Sequence, residues 1–446
     1  MFKNKYVKRA LQIAWPSVLE SFFISLAGII DTFMVSSLGS SAVAAIGLTT
    51  QPKFIALSFF IAISVSVSAL VARRRGEEDK IKANQTMVTA LIFAVILCLI
   101  ISTIFVTFTP QIIKLAGSAP DTHDLAVSYF KIIMGGLIFN VISMTINAGQ
   151  RGSGNTQIAF ITNLVSSLVN IFFNYLLIGG NLGFPKLGVT GAALATVLGT
   201  LLAAIMSFSY LFKRSSYMSL RLIVRERLHF AKDIFKEMLG LGSNIFVENI
   251  AARIGFLVTA VTAAKLGTDQ FAAHNVGMNL LSLSFSFGDG MQVAAVALTG
   301  KAIGARLKDD AIKYGKICQQ IGLTISIFIS LILVVFRKDI FRMFFDDKHI
   351  IEMGSVITFY LIFIVIFQIS QIIFGGALRA AGDVKYTLAV SLIAITLIRS
   401  AATLFFVNVL HLGIQGIWMG ILTDQVSRFL GLWHRFRQGK WVDIKI

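Results

Sequence analysis

Twelve apolar runs, each of about 20 residues or more and so long enough to cross a bilayer as a helix, alternate along the chain with short polar segments. They fall near 13–35, 44–72, 87–108, 125–147, 158–178, 189–212, 238–264, 271–300, 317–336, 353–376, 386–409 and 414–434. The pattern predicts an all-α integral membrane protein of twelve transmembrane helices with both termini on one side. The longest connection, Lys213 to Lys236, is polar and basic and divides the spans six and six. The expected organisation is therefore an N-lobe over 1–212, a linker over 213–237 and a C-lobe over 238–446.

Inside the first run, LESFFISLAGIIDTFMVSSLG from Leu19 to Gly39, an aspartate interrupts the apolar pattern: Asp31. A carboxylate at bilayer depth costs about 2.5–3.5 kcal/mol on insertion scales, so it marks a functional site by default. The bland alternative is a carboxylate near the membrane edge, or one paired to a neighbour for structure.

Composition supports the membrane reading. The chain has 446 residues, 56% hydrophobic and only 14% charged, against about 25% charged in soluble domains. A net charge of +18 would suggest nucleic acid in a soluble chain, but here the bases sit in loops between spans and report topology. With the N-terminus inside, inner segments hold 29 of the 40 lysines and arginines and outer segments hold 8. This bias predicts a multi-pass protein of the cell membrane with both termini cytoplasmic. Pro16 and Glu20 interrupt what would be a signal-peptide core, so the first helix is expected to stay uncleaved. Cys98 and Cys318 both lie within apolar spans and indicate neither a disulfide framework nor a metal site.

The halves repeat. A shift of 228 places Glu20 on Glu248, Leu38 and Gly39 on Leu266 and Gly267, Ala44 and Ala45 on Ala272 and Ala273, and Arg151 and Gly154 on Arg379 and Gly382. A shift of 225 then places Gly188 and Gly191 on Gly413 and Gly416. Six spans per half is an even number, so the repeats are parallel, as in transporters that rock one half against the other.

The positions that break the repeat carry the chemistry. Asn170 and Asn174 lie four apart on one face of span 5. Span 6 carries Thr196 among Gly188, Gly191, Ala192, Ala195 and Gly199, a small-residue face that lets helices approach closely. The counterparts of Asp31, Asn170, Asn174 and Thr196 are Thr259, Ile398, Ala402 and Ile421. A carboxylate, two amide oxygens and a hydroxyl in one half only suit a small hard cation, Na⁺ among them, or a proton. Interhelical hydrogen-bond glue is the competing reading. The second half has its own charges in Glu248, Arg253, Asp289, Arg399 and Asp424, of which Glu248 could pair with a base and the arginines could neutralise acids. Lys53 follows Pro52 in a segment that could break and line a cavity. A few of the 38 phenylalanines lining a cavity would suit flat, apolar cations.

The motifs IIDTFMVSSLGSSAVAAIGL, AAKLGTDQFAAHNVG, AGQRGSGNTQIAFITNLVSSLVNIFFNYLLIGG and GGALRAAGDVKYTLAV together resemble the MATE (multidrug and toxic compound extrusion) transporters, prokaryotic NorM and DinF type, of the MOP flippase superfamily. The resemblance covers essentially the whole chain. It implies two pseudo-symmetric six-helix bundles around a V-shaped cavity, and export driven by a proton or sodium gradient. Asp31 then matches the first-helix aspartate on which coupling depends, and Asn170, Asn174 and Thr196 match the polar groups around it. Glu248 matches a seventh-helix glutamate implicated in cation or substrate binding. Asp383 matches a tenth-span acid of some members but follows Gly382 at the span's cytoplasmic edge. Asn174 stands where some relatives carry a second aspartate, which leaves less charge to hold sodium. Lys53 fits no family pattern.

The expectation is an antiporter, not an enzyme, exporting amphipathic, mostly cationic small molecules in exchange for H⁺ or Na⁺ by alternating access. Asp31, Asn170, Asn174 and Thr196 form the cation site, with Glu248, Arg253, Asp289 and Lys53 as candidates for substrate or a second-lobe site. No cofactor beyond the coupling ion, no nucleic acid and no partner chain is expected; the protein is read as a monomer in the bilayer. The alternative is a lipid-linked oligosaccharide flippase of the same superfamily, which Arg253, Arg399 and Lys53 keep open. A membrane transferase would need clustered acids or a metal motif, and only Asp346 and Asp347 offer a pair.

Overall fold

The computed structural model describes residues 2–444 apart from Gly39, Gly117, Ala119, Arg214, Ser215 and Asp346. Gly39 of the repeat register and Asp346 of the outer acid pair therefore lie outside the described residues. Among those described, every regular element is a helix. In chain order these are α1 (Phe2–Ser36), α2 (Ser40–Gly76), α3 (Lys80–Thr107), α4 (Thr109–Leu115), α5 (Pro120–Gly135), α6 (Leu137–Gly152), α7 (Thr156–Gly179) and α8 (Val189–Tyr210). The series continues with α9 (Leu220–Arg225), α10 (Lys232–Lys265), α11 (Thr268–Gly304), α12 (Lys308–Val335), α13 (Asp339–Arg342) and α14 (Lys348–Ala380). It closes with α15 (Val384–Ser391), α16 (Arg399–Leu404) and α17 (Gly413–Gln438).

Ten of these stretches are long and apolar enough to cross a membrane, taking α15 and α16 as one run, Val384–Val409. The pair α5 and α6, bent by 45°, makes an eleventh. α17, at the place of the twelfth expected span, does not reach that apolarity, with Asp424, Gln425 and Arg428 inside it. Helices commonly overrun their apolar stretches: α1 and α10 each begin several residues early. Lysine, glutamate and arginine are good helix formers, so the apolar run marks the lipid-facing length and not the helix end.

Two interruptions have local causes. The α5–α6 bend falls at Gly135 and Gly136, where a glycine pair supplies little resistance to kinking. In the eleventh span, Leu392–Ile398 and Phe405–Val409 wind as π-helix on either side of α16. Proline acts less strongly than its position suggests. Pro52 lies inside α2, which runs unbroken from Ser40 to Gly76, so the broken segment expected there is not found. Pro16 likewise sits within a continuous α1.

Packing divides the chain into two units: Met1–Val18 with Ser243–Ile446, and Leu19–Gly242. Both boundaries fall inside long helices, α1 and α10. In the first of these units, Ala10 and Ala14 join a core with Met291, Ala295, Ile364 and Trp418, and the Tyr6 hydroxyl donates to Asp310 at 2.8 Å. In the second, the start of α10 is held by Phe235 against Phe93 (ring centroids 4.8 Å apart) and by Glu237 on Arg74 at 2.8 Å.

The sequence repeat is a structural one. Gly154 and Gly382 have φ of +81° and +89°, and Gly188 and Gly413 have +55° and +54°, a left-handed region that glycine enters without steric cost. In one unit Arg151 Nη1 meets Glu20 Oε1 at 2.8 Å and Asn163 donates to the same oxygen at 2.6 Å. In the other, Arg379 Nη2 meets Glu248 Oε1 at 2.5 Å and Ser391 donates to it at 2.7 Å. The two carboxylates thus hold equivalent partners at equivalent positions.

Candidate functional site

The site is built on α1, α2, α5, α7 and α8, all within Leu19–Gly242. Lipid offers no hydrophobic drive for helix association, so close backbone approach and interhelical hydrogen bonds must supply it. The small residues of α8 do this against α7. A Cβ on Gly191 would lie 2.6 Å from the Leu177 carbonyl oxygen, and one on Gly199 would lie 2.7 Å from that of Ser166 and 3.2 Å from Asn170 Cβ. Gly199→Leu is therefore expected to push α8 off α7. Overpacking of this kind costs about 1–3 kcal/mol, to be read as a lower melting temperature in detergent, with export reduced as Thr196 leaves Asn170.

That close packing sets the polar groups. The Asn174 amide donates to Asp31 Oδ1 at 2.6 Å. With its amide nitrogen toward Asp31, Asn170 donates to Oδ1 at 2.6 Å and Oδ2 at 3.2 Å, and its oxygen accepts from the Thr196 hydroxyl and backbone N–H, both at 3.2 Å. Which way an amide faces is decided by its hydrogen bonds. Turned the other way, Asn170 would set a bare oxygen 2.6 Å from the carboxylate, which only a shared proton or an intervening cation would make favourable. Asn174 Oδ1 is buried and has no hydrogen-bond partner among the described residues. A hard cation would take oxygen ligands, and Asp31 with the free Asn174 oxygen are the ones this arrangement offers.

A cavity of about 190 Å³ opens at this point, lined by Asp31, Tyr129, Asn174 and Thr196, with Ile46, Gly47 and Thr50 of α2 among the remaining wall residues. Tyr129 and Thr196 share its wall. Nothing in the run SYFKIIMGG distinguishes this tyrosine from a core aromatic, and sequence reasoning missed it. Lys53 lies one turn beyond Thr50 on α2, and its charge acts on Asp31 although no ion pair within 4 Å joins them among the described residues. It belongs with the first-half site rather than with the second-half candidates.

The second-half candidates are placed differently. Glu248 is held by Arg379 and Ser391, and the Arg379 charge also reaches Asp289, with no ion pair within 4 Å between those two among the described residues. Arg253 is half-buried on α10. Asp383 meets Arg435 Nε at 2.6 Å, an ion pair that ties α15 to α17. No group of three or more His, Cys, Asp or Glu side chains that could hold a metal occurs among the described residues.

Both the sequence and the fold match known proteins. A profile of the MatE family matches residues 16–176 and 245–403, one block in each half of the repeat. The chain belongs to the MatE family. Family members are transporters, and this one is a multi-pass membrane protein. Among curated relatives, a probable multidrug resistance protein NorM of Thermotoga maritima is 26% identical over 435 residues, 97% of this chain and 93% of its own. A NorM of Pasteurella multocida is 24% identical over 426 residues, 94% and 90% of the two chains. Of solved structures, a MATE protein in complex with MaL6 matches with a TM-score of 0.90 and 22% identity over 98% of both chains. An outward-facing multidrug resistance MATE family transporter of the MOP superfamily matches with a TM-score of 0.90 over 98% of this chain and 97% of that one. At such identity these structures establish the MATE fold of twelve helices in two pseudo-symmetric halves.

Proposed function

We propose that the chain is a multidrug efflux antiporter that exports amphipathic, mostly cationic small molecules in exchange for H⁺ or Na⁺ by alternating access. Both termini are cytoplasmic, and the chain acts as a monomer because its cation site lies wholly within one unit. The observation that carries this reading is the convergence of Asp31, Asn174 and Thr196 on one cavity, with Asn170 hydrogen-bonded to both Asp31 and Thr196, while the repeat-equivalent positions hold Thr259, Ile398, Ala402 and Ile421. The names of the relatives, probable multidrug resistance proteins, support the substrate class.

Binding of the cation neutralises Asp31 and alters its hydrogen bonds to α7, which biases the helices that carry it. An ion shifts such an equilibrium only by its differential affinity for the two states. The proton is the favoured ion. Sodium needs net negative charge, and this site has a single carboxylate with the Lys53 charge acting on it. The deciding experiment is efflux of a fluorescent cation from proteoliposomes under separately imposed pH and sodium gradients. Export under a pH gradient alone supports proton coupling; no export under either gradient defeats the antiporter reading.

The same charge argument gives a directed prediction. Asn174→Asp adds a second carboxylate beside the first and is expected to raise Na⁺ affinity by tenfold or more (about 1.4 kcal/mol), measured by calorimetry in detergent. Unchanged sodium binding would count against an ion site here.

A further inference from the structure

The second half does not leave the mirrored place chemically blank. The 228 shift carries Ile46, which lines the cation cavity, onto His274, and Asn170 onto Ile398, next to Arg399. The 225 shift carries Thr196 onto Ile421, three residues from both Trp418 and Asp424. Arg399, His274, Trp418 and Asp424 lie in one unit, and Arg399 and Asp424 are both 0% exposed.

Their pairing is incomplete in one direction only. Asp424 is already engaged by Arg428, Nε to Oδ1 at 2.9 Å and Nη2 to Oδ2 at 2.8 Å. Arg399 Nη1 stands 3.6 Å from Asp424 Oδ2, beyond hydrogen-bonding distance for a charged pair. Its guanidinium lies over the Phe256 ring, 4.5 Å from the centroid. None of Arg399 Nε, Nη1 and Nη2 has a hydrogen-bond partner among the described residues. Trp418 Nε1, a pure donor, and the Thr403 and Ser400 hydroxyls are likewise buried without partners. Thr403 follows Arg399 by one helical turn and therefore shares its face; its hydroxyl presses on α17, 2.2 Å from where a Cβ on Gly420 would lie. The Trp418 ring stands 5.6 Å from that of His274, on which the Arg399 charge acts.

Two guanidinium groups against one carboxylate leave a net positive charge, and Arg399 contributes only donors, although His274 Nδ1 and Gln425 Oε1 are also unpaired among the described residues. A buried charged donor without a partner carries a large desolvation penalty. The surroundings leave little room: a Cβ on Gly255 would meet the Ile395 carbonyl oxygen at 2.5 Å. A π-helical turn, of the kind that recurs at functional sites, leads directly into Arg399.

We propose that this cluster is a binding site for a small inorganic anion of the halide class, held by Arg399 with Thr403, one helical turn away, as a further donor. The second half then carries an anion site where the first carries a cation site. The ion neutralises the excess charge of the Arg399–Asp424–Arg428 group and fixes the turn around α16.

Crystals of the wild-type protein soaked in bromide test this directly. The expected result is an anomalous peak at hydrogen-bond distance from Arg399; no peak there overturns the proposal. In parallel, purified protein is melted in sodium chloride and in sodium gluconate at equal ionic strength. Chloride is expected to raise the melting temperature by about 2–4 °C through its preferential binding to the folded state. Arg399→Gln is expected to lose that difference, and Arg399→Lys to keep part of it. Equal melting in the two salts for the wild type, or a chloride effect that survives intact in Arg399→Gln, overturns the assignment. Asp31→Asn, far from this cluster in sequence and in the other unit, is expected to keep the full chloride effect, which separates this site from cation coupling.

Discussion

Asp31→Asn is expected to reduce gradient-driven export from proteoliposomes to the level of empty liposomes, while the protein still inserts, purifies and melts near the wild-type temperature. The substitution keeps the shape and leaves an oxygen to accept the Asn174 amide that now bonds Asp31 at 2.6 Å. Asn170 keeps its 2.6 Å bond to that same oxygen and its bonds to Thr196, and loses only the longer 3.2 Å contact to Oδ2. What disappears is the ability to change charge. A neutral side chain neither takes up a proton nor holds sodium, so the gradient no longer distinguishes the two states of the transporter. Wild-type export by this variant, with the gradient verified, would remove Asp31 from the coupling mechanism.

The second large effect concerns the frame. Arg151→Met is expected to destabilise the protein by about 3–5 kcal/mol, the usual consequence of leaving a buried charge without its partner. Glu20 is 6% exposed, and Arg151 supplies its one ion pair among the described residues. Adding Glu20→Gln should recover most of the loss, because an uncharged amide has no need of the guanidinium and can still engage Asn163. The matched experiment is Arg379→Met with and without Glu248→Gln. Equal losses and equal recoveries, followed by melting in detergent, would assign both glutamates to the frame. If Glu248→Gln also removed binding of a substrate while Glu20→Gln did not, the second-half carboxylate would have a separate task, and Asp289, on which the same arginine acts, would be its natural partner.

The sequence was most informative where the repeat fails. Apolar matches between halves say little in so apolar a chain, but Asp31, Asn170, Asn174 and Thr196 each face an apolar or neutral counterpart, and the structure brings all four together. The Glu20 and Glu248 equivalence was equally legible, and its meaning was not. That each glutamate has the equivalent arginine in its own half requires coordinates, because Arg151 and Arg379 lie 131 residues away. Tyr129 was invisible because an aromatic in an apolar span looks the same whether it lines a cavity or fills a core. Proline beside Lys53 suggested a broken helix, whereas α2 is continuous and places the lysine one turn from Thr50. The π-helical turns around α16 have no glycine or proline to announce them. The orphaned donors of Arg399 could not have been foreseen, since they depend on Arg428 reaching Asp424 first.

Both unit boundaries lie inside helices, at Val18 in α1 and Gly242 in α10, and the exchanged segments are themselves repeat equivalents, residues 4–14 and 232–242. A sequence half and a folded unit are therefore different objects. A cut in the connection between Tyr210 and Lys232 yields two fragments, neither of which holds a complete core: the second lacks Ala10 and Ala14, the first lacks Phe235 and Glu237. Such fragments should be stable only when made together. The same reciprocity constrains ancestry, because a half-length precursor would have had to pair with a second copy and trade its leading helical turns before any fusion joined the two.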